Sequence, residues 1–179
     1  MRYGRMTDLA SLPVFCGRAV QMVIETPRGA RAKFTYDTER RLFTFGRPLP
    51  AGLVYPYDWG FLPSTLGEDG DPLDGLLIHP GTGCPGLVVE CRLLGLLAVV
   101  QREKGRKKRN DRFILTPSGQ PDGLKAVPPR LRQEIEQFFE ASILGTGHSL
   151  SFQGWKGPAA ARAAIEKGRK AFERKGGAG

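Results

Sequence analysis

Between residues 20 and 48 the polarity of the chain changes side at nearly every residue, and glycine or proline breaks it every few residues. This pattern fits short β-strands and little else. Val20 to Thr26 sets Val20, Met22 and Ile24 against Gln21, Val23 and Glu25, the period of a strand whose successive side chains leave opposite faces. Pro27-Arg28-Gly29 interrupts the run, and Arg31 to Asp37 resumes it with Ala32, Phe34 and Tyr36 against Arg31, Lys33 and Thr35. A third run, Leu42 to Phe45, stops at Gly46-Arg47-Pro48, a strong turn signal. The spacing predicts that Glu25, Lys33 and Arg47 sit on or beside neighbouring strands, where polar side chains converge on one cleft.

Further along, Leu53 to Gly67 reads as aromatic and turn-rich, and Asp74 to Ile78, Gly86 to Leu97 and Phe113 to Leu115 read as apolar strands. Helical spacing enters only late. Pro128 or Pro129 opens a helix with Leu131, Ile135, Phe138 and Phe139 on one side, running to about Ala141, since proline suits a first turn. Pro158 to Lys175 repeats the period with Ala161, Ala164, Ile165, Gly168 and Phe172, both stripes being core contacts. Strands first and helices last predict a mainly β chain, a barrel with helices packed outside it. Residues 1–19 read as a short extension without a signal-peptide core, and 20–175 as a single domain.

The chain has 179 residues, 24 of them glycine and 14 proline, which supplies the turns such a fold needs. No stretch approaches the roughly 18 apolar residues of a membrane span. The cysteines, Cys16, Cys84 and Cys91, are odd in number and form no C-x-x-C pair. They predict buried or half-buried thiols in a reducing cytoplasm, with no disulfide framework or zinc site. The net charge of +9 favours anionic partners, whether small phosphates, acidic membranes or nucleic acid. No RNA-binding signature or stacking motif is present, so nucleic acid ranks below small phosphates and a membrane partner is not expected. The charge is concentrated at Gln101 to Arg112, with seven basic and two acidic residues, and again at Lys156 to Lys175. The second cluster reads as a solvated helix face. For the first, a solvated loop and a lid that binds a polyanion both stand.

Asp69, Asp71 and Asp74 fall within six residues, with Glu68 adjacent. Carboxylates this close repel one another, and a hard divalent cation offsets the repulsion. Alone, Asp-Gly-Asp-Pro is an ordinary turn, and an EF-hand loop is disfavoured because its final glutamate would fall at Pro80. The context narrows the choice: Glu25, Lys33, Arg47 and Tyr55 lie upstream. A phosphoryl-transfer site needs these types together, with metal-activated water, cations for phosphate oxygens and a phenol donor.

The segments V-I-E-T-P-R-G-A-R-A-K-F-T-Y-D at 23–37 and Y-P-Y-D-W-G-F-L-P-S-T-L-G-E-D-G-D-P-L-D-G-L at 55–76 resemble the family I (soluble) inorganic pyrophosphatases. The likeness extends through Pro85-Gly86, Phe138-Phe139-Glu140 and Gly154-Trp155 and covers roughly residues 20–172. It implies a five-stranded OB-like β-barrel with two packed α-helices and Mg²⁺-dependent hydrolysis of pyrophosphate to two phosphates in the cytoplasm. It further implies that Asp69 and Asp74 hold metal, that Asp71 orients or deprotonates the attacking water, and that Glu25 orders the metal shell. Lys33, Arg47 and Tyr55 would contact phosphate, and the chain would form a homo-oligomer, a hexamer or a dimer.

The chain departs from the family pattern inside the site. Thr35 replaces a glutamate and Trp59 a tyrosine. Gln101, Asn110 and Arg112 align with two metal aspartates and a lysine, Arg102 stands at an adjacent acidic position, and Ser142-Ile143 stands where the family has a Tyr-Lys pair. Asn110 can still coordinate through its amide oxygen, and Arg112 can bind phosphate. A one-residue slip would instead offer Asp111. Three functions remain: a pyrophosphatase with reduced activity, a degenerate phosphate- or nucleotide-binding regulatory protein, and a phosphohydrolase with a shifted polyphosphate substrate such as a nucleoside polyphosphate. Neither histidine, His79 or His148, matches a catalytic position.

Overall fold

The computed structural model describes residues 7–119 and 126–176. Along the chain its strands are β1 (Phe15–Cys16), β2 (Ala19–Thr26), β3 (Ala32–Asp37), β4 (Leu42–Pro48), β5 (Asp58–Leu62) and β6 (Leu73–Leu77). Then come β7 (Val88–Glu103), β8 (Arg106–Arg109), β9 (Arg112–Pro117), helix α1 (Pro129–Ser142), β10 (Ser149–Lys156) and helix α2 (Pro158–Gly176). Strand β2 pairs with β5, β5 with β6, β6 with β9, β9 with β7, and β7 again with β2. The five form a closed ring, in which only β6 and β9 run parallel, and closure leaves these strands no unpaired edge. Strands β3 and β4 form a separate hairpin, and β10 pairs with β7.

All five ring strands contribute to one buried cluster that includes Met22, Ile24, Leu62, Leu77, Leu96, Phe113 and Leu115, joined by Ala161 and Ile165 of α2. A second cluster sets Trp59, Leu76, Leu97, Val99 and Ile114 against Ile135, Phe138 and Phe139 of α1. Phe113, Ile114 and Leu115 show the division: alternate residues of one strand supply opposite faces, and both faces are covered. The seam of β2 and β5 is tight. A Cβ at residue 60 would lie 1.9 Å from the Val23 carbonyl oxygen, so only glycine lets the two backbones approach this closely.

The predicted barrel and both helices are present, and several details are corrected. The segment 53–67 holds a ring strand, β5, buried at every position; a strand covered on both faces has no polar alternation to reveal it. For the same reason β2 has no polar side, and Val23 and Glu25 are buried like Met22 and Ile24. Val23 packs against Ala10, Tyr36 and Phe61. The basic segment 101–112 is not a loop. Strand β7 continues to Glu103 and returns as β8 through Lys104 (φ 46°) and Gly105 (φ 79°), a two-residue turn with both residues left-handed, as hairpin twist favours. Strand β10 was not anticipated, because a bulge between Phe152 and Trp155 breaks its period. Phe172 is only half-buried, and of the cysteines Cys91 is buried while Cys16 and Cys84 are exposed. Residues 1–6 of the expected extension lie outside the described residues; within the remainder Val14 joins the core and β1 pairs with β2. No described helix is long and apolar enough to cross a membrane.

Candidate active site

The acidic turn joins β5 to β6. Gly67 N donates to Asp71 O at 2.8 Å, and Asp69 Oδ1 accepts from Asp71 N at 3.3 Å, so the turn is fixed by its own backbone and side chains. It presents Asp69 and Asp71, while Asp74 follows on β6. On the β3–β4 hairpin Lys33 and Arg47 are register partners, which places both side chains on one face. Tyr55 is buried against Phe138 and Trp59, with ring centroids 5.1 and 6.4 Å away. Lys33, Arg47, Tyr55, Asp69, Asp71 and Asp74 line one cavity of about 740 Å³, together with Asn110, Arg112 and the inner face of the β7–β8 hairpin. Glu25 is buried just outside that lining, its Oε1 accepting from Tyr36 N at 2.7 Å.

Burial sets the protonation of the site. It pushes Glu25 up to about 7, helped by the charges of Asp74 and Asp71 and opposed by the Tyr36 hydrogen bond and Lys33. It also raises Asp69, to which the charge of Asp74 adds. Tyr55 is raised well above the ordinary phenol range by burial, which keeps its hydroxyl a donor.

Arg112 controls the far wall. It is the parallel register partner of Asp74. Its Nη1 donates to Asp74 Oδ2 and, at 2.5 Å, to Asn110 Oδ1. The guanidinium lies 5.2 Å from the Trp59 ring and 5.5 Å from Phe139, an environment that suits a planar, weakly hydrated cation. Its Nε is buried without a partner among the described residues. Asp111 is turned away from the cavity: its carboxylate accepts from Val99 N at 3.1 Å and Arg109 Nε at 2.8 Å. The slipped alignment is therefore not adopted, and Asn110 and Arg112 face the site.

Across residues 22–173 the chain matches the sequence profile of the inorganic pyrophosphatases. The chain belongs to the inorganic pyrophosphatase family. An inorganic pyrophosphatase of Thermus thermophilus is 38% identical over 94% of this chain and 98% of its own length. One from Methanosarcina acetivorans is 37% identical over 76% and 82%. The crystal structure of the Thermus thermophilus inorganic pyrophosphatase superposes with a TM-score of 0.84 at 35% identity, covering 93% of this chain and 99% of that one.

Two residues lining this pyrophosphatase site were missed in the sequence. His148, at the entry to β10, sits between Gln101 Nε2 (3.4 Å from its Nδ1) and Glu103 Oε1 (3.4 Å from its Nε2). No local signal marks either His148 or Glu103, because only the pairing of β10 with β7 brings them together.

The donors suit a hard cation, since Asp69, Asp71, Asp74, Gln101 and Asn110 offer only oxygens. Among the described residues no three His, Cys, Asp or Glu side chains are grouped closely enough to hold an ion unaided. Arg112 also engages one oxygen of Asp74 and that of Asn110. The set therefore fits an ion held by one or two carboxylates and completed by water and phosphate oxygens, which is the ordinary manner of Mg²⁺.

Proposed function

We propose that this chain is an inorganic diphosphatase that hydrolyses pyrophosphate to two phosphates with Mg²⁺ held by Asp69 and Asp74 and completed by water and phosphate oxygens. The metal, when bound, would supply an activated water and neutralise phosphate charge. Lys33 and Arg47 bind and orient phosphate oxygens from one side, Tyr55 donates its hydroxyl, and Arg112 adds a guanidinium from the other side. Asp71 accepts the proton of the attacking water, while Glu25, buried beneath the acids, helps fix their arrangement. We further propose a cytoplasmic homo-oligomer, hexamer or dimer, as the family resemblance implies.

One observation carries the reading: in a pyrophosphatase fold, three aspartates and the Lys33–Arg47 pair line a single cavity. The test is phosphate release from Mg²⁺-pyrophosphate. Asp71→Ala should lower kcat by about 100-fold or more, the usual contribution of a general base. A folded wild type no faster than that variant would refute the assignment. The Arg112–Asp74 pair favours a second reading, a phosphate- or nucleotide-binding protein with little hydrolysis. It would bind pyrophosphate in calorimetry and release no phosphate.

A further inference from the structure

The β7–β8 hairpin brings three cations, Lys104, Arg106 and Lys108, into the cavity beyond the three assigned to pyrophosphate. Gln101 pairs with Lys108 and Glu103 with Arg106, while Arg102 pairs with Lys107. Directly opposed residues share a face. Glu103, Arg106 and Lys108 therefore face the cavity, with Lys104 at the turn, and Arg102 and Lys107 face away. The base of the hairpin is tied to the acidic turn, where Arg109 N donates to Glu68 Oε2 at 3.1 Å and Lys108 Nζ to Asp69 O at 3.4 Å. Glu103 is engaged by His148. Lys104 and Arg106 face the cavity mouth with no carboxylate partner among the described residues.

This arrangement is costly without an anion. Arg106 and Lys108 project from the same face of β8 beside Lys104, and like charges this close repel one another. Six cationic side chains and four carboxylates line the cavity before any metal is counted. Lys33, Arg47 and Arg112 are the cavity cations assigned above to the two phosphoryl groups of pyrophosphate. The cavity volume of about 740 Å³ lies in the range that takes drug-sized ligands, well beyond a diphosphate.

We propose that the site accepts linear phosphate chains of three or more phosphoryl groups, with Lys104 and Arg106 holding those beyond the second. The proposal rests on the phosphoanhydride-hydrolase reading of the same cavity. Water adds to the terminal phosphorus, and the bridging P–O bond breaks with its electron pair going to the leaving chain. The proton of the attacking water passes to Asp71 and from there to solvent, and the products are orthophosphate and a chain one unit shorter. The hairpin cations stabilise the charge that develops on the leaving chain.

The experiment compares pyrophosphate, inorganic tripolyphosphate and ATP, each with Mg²⁺, in the full chain and in Lys104→Ala/Arg106→Ala. Both positions are exposed, so the fold should be unaffected; a charge-reversed Lys104→Glu/Arg106→Glu variant gives a second measurement. The expected result is a KM for tripolyphosphate raised about tenfold by the alanine pair and more by reversal, the worth of one charge-assisted contact. At about 0.15 M ionic strength, where attraction at a distance is screened, pyrophosphate kinetics should stay within about twofold. An equal rise for both substrates, or a wild type that hydrolyses pyrophosphate but does not bind tripolyphosphate, overturns the proposal. Hairpin-dependent binding of ATP without binding of tripolyphosphate also overturns it, since the nucleoside would then be what is recognised. Hairpin-dependent binding of tripolyphosphate by a chain that cleaves neither substrate supports the binding site and refutes the hydrolase reading alone.

Discussion

Arg112 and a divalent cation compete for the same carboxylate. The guanidinium already neutralises Asp74 and occupies the oxygen of Asn110, so an ion entering the site displaces it or shares Asp74 with it. Removing the guanidinium frees both oxygens. Arg112→Gln should therefore tighten Mn²⁺ binding in the absence of substrate by about tenfold, the value of one charge-assisted hydrogen bond. Calorimetric titration measures this directly, and unchanged or weaker Mn²⁺ uptake contradicts the competition. Glu25 makes a separate prediction about the metal-free protein. Its carboxyl is raised to about 7 from an ordinary value of 4.5, so the folded state holds the proton more tightly than the unfolded chain does. Its contribution to stability is complete below about 4.5 and lost as pH rises through 7, roughly 3 kcal/mol in all. Glu25→Gln keeps an acceptor for Tyr36 N and has no proton to lose. With chelator present, urea unfolding between about pH 4.5 and 8 should show wild-type stability falling relative to that variant. Parallel profiles would mean that Glu25 is not the source.

At the level of elements, what the sequence discloses depends on how local the physics is. The acidic turn was legible because its aspartates and its hydrogen bonds lie within a few residues. The helices were legible because α1 and α2 each bury one stripe. Strand β5 was hidden because the barrel covers both its faces, so Asp58–Leu62 shows no alternation. Its Asp58 is fully buried and serves as a hub, accepting from Arg28 N at 2.6 Å and Gly83 N at 2.8 Å and lying 2.7 Å from His79 Nε2. Nothing near it in sequence supplies those partners. The hairpin was hidden for the opposite reason. Seven basic residues read as a solvated run, and only the ladder with β7 and the left-handed Lys104-Gly105 turn reveal two strands. The departures at Gln101, Asn110 and Arg112 were visible as substitutions. Their consequence, an arginine clamped on Asp74, required the parallel register of β6 with β9.

At the scale of the whole molecule, the net charge of +9 is unevenly active. On α2, Arg169 is paired with Glu166 and Glu173, so part of the C-terminal cluster is neutralised by its own helix. The β7–β8 hairpin stands at the cavity mouth, where Lys104 and Arg106 have no carboxylate partner among the described residues. The field of the molecule therefore draws small anions toward the opening through which a phosphate chain would enter. Such attraction acts on encounter and is screened by salt, whereas contacts inside the closed complex are screened much less. Raising ionic strength from about 0.01 to 0.15 M shortens the screening length from roughly 30 to 8 Å. Over that range kcat/KM for pyrophosphate should fall several-fold while kcat changes little, at constant free Mg²⁺ and with a salt that does not bind phosphate sites. The Lys104→Glu/Arg106→Glu variant should show a shallower decline, because it removes and reverses charge at the entrance. If kcat falls as steeply as kcat/KM, salt is weakening contacts within the complex, and the steering account fails.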